Sequence, residues 1–187
     1  MKSLLSFTLI GFLIFVTGCS TSRKSSGKQE VAKSTDIKST VVIKKNVPAR
    51  TIHTGNVSAE DVVAFAETLI GTRYLYGSSI KEKGFDCSGF ITYVFTHFKI
   101  QVPRVSSDFT NAGEEIPISN SKKGDIILFT GTDAKSGVVG HMGIITQNNK
   151  GNVEFIHAAT SRGVMISGMN SYFVPRFVKV NRIFGVF

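Results

Sequence analysis

Residues 85–98 read FDCSGFITYVFTHF, and this stretch decides how the rest of the chain is read. Phe90, Ile91, Val94, Phe95 and Phe98 recur at helical spacing, so a helix is expected from about Cys87 to Phe98. Asp86 stands where an N-cap belongs. Cys87 then falls in the first helical turn, where free backbone N–H groups and the helix dipole favour a thiolate. That environment makes a cysteine a nucleophile, and the end of an element leaves it open to a substrate.

Upstream, Val62, Val63, Ala66, Leu69 and Ile70 form a second helical stripe, predicted from about Ser58 to Ile70. Ser58 with Asp61 has capping-box spacing, and Gly71 is expected to end the helix. The loop GTRYLYGSS (71–79) joins the two helices. Downstream the period changes. Strands are expected at 124–129, 140–146, 153–158, 164–167 and 177–184, with a turn at 148–151. Helices first and an antiparallel sheet afterwards argue for an α+β domain with its N-terminal helices packed on a small sheet.

The chain has four histidines, His53, His97, His141 and His157. His53 lies close to a polar N-terminal segment. His97 is ten residues along the same helix as Cys87, roughly 15 Å away along the axis. His141 and His157 flank the 148–151 turn almost symmetrically. In a hairpin they become cross-strand neighbours within about one residue, and a one-residue slip would separate them. Paired, they are expected on the face where the Cys87 helix packs. Cys87, His141 and His157 then form a complete set of nucleophile, base and orienting group. Gly140 and Gly143 leave room beside the first ring, which favours His141 as the base. A zinc site would use the same side chains, but their spacing follows no short metal-ligand repeat, so neither metal nor cofactor is expected.

The chain is 187 residues long with a formal charge of +9. Residues 19–50 hold eight Lys/Arg against two Asp/Glu, whereas residues 51–187 hold 13 against 11. The basic character therefore sits in a Ser-, Thr- and Lys-rich segment without aromatics, read as a flexible tether of roughly 30 Å root-mean-square reach. The near-neutral remainder, 51–187, gives no support to a nucleic-acid partner. Lys2 followed by the apolar run LLSFTLIGFLIFV (4–16) reads as a secretory signal over residues 1–18. Val16-Thr17-Gly18-Cys19 resembles a bacterial lipoprotein signal, which implies lipidation of Cys19. With Ser20 following, an outer-membrane lipoprotein of the cell envelope is expected, facing the periplasm or the cell surface. Cys19 and Cys87 each have a better use than a mutual disulfide.

Six pieces in order resemble the NlpC/P60 peptidases: Tyr74–Gly77, Phe85–Phe90, Pro103–Ser106, Lys123–Ile126, Gly140–Ile145 and Phe155–Ala158. The resemblance covers about residues 56–187 and implies a papain-like α+β domain. It implies a cysteine endopeptidase acting on peptidoglycan stem peptides, at the bond between γ-D-glutamate and diaminopimelate or lysine. Cys87 matches the nucleophile, His141 the base and His157 the orienting residue. Tyr74 matches a tyrosine near the oxyanion position. Ser88 is expected to lend its N–H there or to a cap, and Asp86, Arg104 and Ser106 to meet substrate. Ser78 and Phe109 depart from the family pattern, which often has Gly and Gln there; both are expected to alter the cleft wall. Two other readings stay open, an amidase or transpeptidase using the same thiol and a non-catalytic wall-binding lipoprotein. A monomer is expected.

Overall fold

The computed structural model describes residues 50–185. The signal sequence, Cys19 and almost all of the tether lie outside the described residues.

Helix α1 spans Ala59–Glu67, and Ser58 Oγ caps it by accepting the Asp61 N–H at 3.0 Å. The chain leaves the helix earlier than its apolar stripe suggests, through a turn at residues 68–71 ending on Gly71 at φ +87°. A two-residue ribbon that the sequence did not announce follows, β1 (Ser79–Ile80) against β2 (Gly84–Phe85). Helix α2 spans Cys87–His97 with Asp86 as its N-cap, its carboxylate accepting the Gly89 N–H.

The remaining strands are β3 (Glu114–Ile116), β4 (Ile126–Thr130), β5 (Val139–Asn149), β6 (Asn152–Ala159), β7 (Gly163–Gly168) and β8 (Phe177–Arg182). Among the described residues they form one sheet in the order β3-β8-β4-β5-β6-β7, antiparallel throughout. The five strands expected from alternation are all present. The sixth, β3, is Glu-Glu-Ile, too short and too charged to show a period.

Alternation along β4, β5 and β6 sorts their side chains onto two faces. Ile126, Leu128, Met142, Ile144, Ile156 and Ala158 pack with Val62, Phe90, Ile91 and Val94 of the helices. Ile127, Phe129, Ile145, Val153 and Phe155 pack on the other face, covered by Phe173 and Val180. Phe109 is 1% exposed and belongs to the helix-side core. This corrects the expectation that it alters the cleft wall: its ring fills the core.

The β5–β6 hairpin contains the register on which the histidines depend. From the turn at Lys150 and Gly151, Asn149 pairs with Asn152 and Gln147 with Glu154. Continued regularly, that register would set Ile144 opposite His157 and place His141 and His157 on opposite faces. A bulge at Thr146 absorbs one residue, so Ile145 pairs with Phe155 and Ile144 with Ile156. The two histidines thereby share a face, two residues out of direct opposition.

The first turn of α2 lies tight against the backbone of the preceding ribbon. A Cβ on Gly89 would run into the Ser78 carbonyl, which itself accepts the Asp86 N–H at 3.0 Å, and would sit 2.8 Å from Asp86 Oδ1. Gly89→Ala is therefore expected to lower stability by about 1–3 kcal/mol through overpacking, read as a fall in melting temperature by circular dichroism.

Candidate active site

Cys87 opens α2, and its sulfur reaches the start of β5, where the thiol points at the Gly140 carbonyl at 3.8 Å. Gly140 in turn packs on the backbone of Gly131; a Cβ there would lie 2.8 Å from Gly131 Cα. His141 is the next residue. Its Nε2 lies 2.9 Å from Nδ1 of His157, and Nε2 of His157 lies 2.9 Å from Ser167 Oγ. Among the described residues none hydrogen-bonds Nδ1 of His141, the nitrogen a thiol proton would need. Cys87, His141, His157 and Tyr74 line one cleft of about 580 Å³.

Both rings were expected on the face against the Cys87 helix, and the structure corrects this. They project from the opposite face, where Phe173 lies 6.2 Å from the His141 ring and 5.4 Å from the His157 ring, and Phe129 pairs with His141. Helix α2 packs on the other face, and its first residue, Cys87, meets Gly140, the neighbour of His141, near the start of β5. Gly143 makes the arrangement fit: a Cβ there would come within 2.8 Å of the Phe155 ring and 3.3 Å of His157 Cβ. His97 is stacked on Phe65 with centroids 3.7 Å apart, and His53 is exposed on the N-terminal segment.

The polar residues around Cys87 are tied to one another. Arg104 forks onto Asp86, with Nη1 donating to Oδ1 at 3.1 Å and Nη2 to Oδ2 at 2.9 Å. Nη1 also donates to Ser88 Oγ at 3.0 Å. Asp86 is thus both helix cap and ion-pair partner, and Arg104 already holds a carboxylate. Ser106 starts a 3-10 turn over Ser106–Asn111, two residues beyond Arg104. Asp86, Ser88, Arg104 and Ser106 lie outside the lining of the cleft that holds the histidines.

The electrostatics run against the expected thiolate. Burial pushes the Cys87 thiol up to about 11, and the neighbouring Asp86 charge adds to the effect. The N–H groups of Ser88 and Cys87 and the Arg104 cation pull the other way and do not prevail. The Tyr74 hydroxyl is raised as well, by burial first and then by Cys87, Asp86 and Tyr76. Burial holds His141 down at about 4, and burial plus the His141 ring holds His157 at about 3. These directions favour a protonated thiol and neutral imidazoles in the free site.

Ser167 escaped the sequence reading. Met165 stands opposite His157 in the β6–β7 ladder, and Ser167 lies two residues further on, on the same face. The signal existed only for a reader who already had that register. Thr160 to Arg162, in the turn between β6 and β7, and Tyr172 and Arg176, in the approach to β8, also line the cleft and were not anticipated.

Residues 71–182 match the NlpC/P60 family, and the chain belongs to it. Over 116 residues it is 39% identical to the murein DD-endopeptidase MepS/murein LD-carboxypeptidase of Escherichia coli K12, covering 60% of this chain and 56% of that one. The chain therefore spans about half the length of this curated relative. Over 130 residues it is 32% identical to the gamma-DL-glutamyl hydrolase of Bacillus subtilis, covering 68% of this chain and 30% of that one. The fold resembles the crystal structure of an NlpC/P60 family protein from Bacillus cereus, with a TM-score of 0.62, 24% identity, and coverage of 70% of this chain and 41% of that one.

Two outcomes test the electrostatics. Alkylation of Cys87 by iodoacetamide should stay slow at neutral pH and rise only toward about 11; fast alkylation near pH 6 would reveal a thiolate instead. Stability should also fall in acid. The unfolded chain protonates both histidines below about 6.5, while the folded chain resists until about 4. The unfolded state therefore binds more protons in that window, and each ring removes up to about 1.4 kcal/mol per pH unit as pH falls through it. Urea denaturation between pH 7 and pH 4 measures the loss.

Proposed function

We propose that the chain is a cysteine endopeptidase that hydrolyses peptidoglycan stem peptides at a γ-D-glutamyl bond to diaminopimelate or lysine. One observation carries the reading. The thiol at the start of α2 shares a cleft with a hydrogen-bonded pair of imidazoles, 2.9 Å apart, whose leading ring keeps Nδ1 free.

The reaction follows from this geometry. Substrate displaces water from the cleft, and Cys87 Sγ attacks the γ-glutamyl carbonyl as its proton passes to Nδ1 of His141. Nε2–H of His141 donates to Nδ1 of His157, whose own Nε2–H donates to Ser167 Oγ. This tautomer chain leaves His141 able to accept, and it spreads the charge of the imidazolium. Backbone N–H groups at the helix start, with the Tyr74 hydroxyl, face the developing oxyanion. His141 then protonates the departing amine, and water, deprotonated by the same imidazole, hydrolyses the thioester. Because the pair starts neutral, proton transfer accompanies attack.

The relative named as a gamma-DL-glutamyl hydrolase supports the γ-glutamyl bond, and the one named as a murein endopeptidase supports the polymer. The signal-like residues 1–18 and Cys19 support a lipid-anchored envelope protein, with 19–50 as a tether to a peptidase domain over 51–187.

The purified chain incubated with wall fragments should release new amine termini detectable by mass spectrometry. Cys87→Ala should reduce the rate at least about 10⁴-fold, since removal of a nucleophile leaves only binding and electrostatic contributions. Wild type producing no new amine would defeat the enzyme reading and favour a wall-binding role. Adducts with an added amine, in place of hydrolysis, would favour acyl transfer.

A further inference from the structure

The cleft has two sides with different charge arrangements. In the proposed reaction His141 hands a proton to the leaving nitrogen, so the leaving residue lies on the histidine side. The acyl part lies toward the start of α2; outside the cleft lining there, Asp86 and Arg104 neutralise each other at 2.9 Å. On the histidine side the balance is unmatched. The cleft lining contains two guanidinium groups, Arg162 and Arg176, and no carboxylate. That lining therefore carries two fixed positive charges and, among the described residues, no negative one.

The two arginines are not equivalent. Arg176 is committed to the protein: Nη1 donates to the Tyr172 carbonyl at 2.9 Å and Nη2 to the Thr132 carbonyl at 3.2 Å. Its guanidinium also lies 4.0 Å from the centre of the Tyr172 ring. It fastens two loops across the cleft wall. Arg162 is exposed, with neither a hydrogen bond nor an ion pair to any described residue. Yet its turn is held firmly. Val164 N–H donates to the Thr72 carbonyl at 2.8 Å, and Gly71 N–H donates to the Val164 carbonyl at 2.9 Å. Gly163, at φ +68°, sits so close to the Thr72 carbonyl that any side chain there would collide with it. A free forked cation is thus carried on a fixed turn directly after the strand that bears His157.

We propose that Arg162 binds a free carboxylate on the leaving-group residue of the substrate. This rests on the peptidase reading above and adds a selectivity to it. A guanidinium with all its donors available matches a planar carboxylate in two parallel hydrogen bonds. The site then favours scissile bonds whose leaving amine belongs to a residue ending in a carboxylate, over the same residue carrying an amide.

The test uses L-alanyl-γ-D-glutamyl-L-lysine and its C-terminal carboxamide, identical on the acyl side. Wild type should cleave the carboxylate form with at least about tenfold higher kcat/KM, the scale of a charged hydrogen bond. Arg162→Gln should bring the ratio close to one, and Arg162→Lys should keep part of it. An unchanged ratio in Arg162→Gln overturns the proposal. A binding measurement separates this from failure of the peptidase reading. In the Cys87→Ala chain, calorimetry should show tighter binding of the carboxylate peptide than of the carboxamide. Adding Arg162→Gln should erase the difference. Equal binding of the two peptides to Cys87→Ala refutes the carboxylate site, whatever wild type cleaves; preferential binding without cleavage refutes only the peptidase reading.

Discussion

A single surplus residue in one strand holds the site together. The β5–β6 hairpin leaves its turn in a register that would divide His141 and His157 between the two faces of the sheet. The bulge at Thr146 removes that mismatch, and the contact between the rings follows. The bulge has a cost in unmatched polarity: the Thr146 hydroxyl is buried without a hydrogen-bond partner among the described residues. Such a group is tolerated where the geometry it permits matters. Everything beyond it, from the Ser167 contact to the free Nδ1, inherits its position from that one irregularity.

The helix start and the sheet contribute differently to the proposed reaction. The sheet fixes the direction of the imidazole chain through ladder pairing and through small residues, Gly140 and Gly143, that let backbones and rings close up. The helix delivers the sulfur. The Asp86 carboxylate that caps α2 also stands beside the thiol, and Arg104 offsets it only in part. Capping and thiol activation therefore oppose each other at this position. Burial is the largest influence on that thiol, and it favours the protonated form.

Much of this was legible in the sequence. The helical stripes around Val62 and Val94, the alternation in five strands, and the cysteine after a capping aspartate were local signals with local causes. So was the near-symmetry of His141 and His157 about the turn. What was not legible depended on distance through space. Local pattern places a thiol at a helix start, where a low pKa is the rule, but it does not count the atoms that bury it. It pairs two histidines across a turn, but it does not show which face they take, because that depends on a bulge. Phe109 replaced a polar family residue, and only the packing revealed that it enters the core. Ser167 and Arg162 are ordinary residues until the strands around them are in register.

A thiol pushed up by burial has a consequence for how the molecule endures when idle. Thiolates react with peroxides and disulfides far faster than thiols do. A cysteine pushed up to about 11 presents little thiolate to them at neutral pH. The burial that raises the thiol thus also works against its oxidation while the cleft is empty.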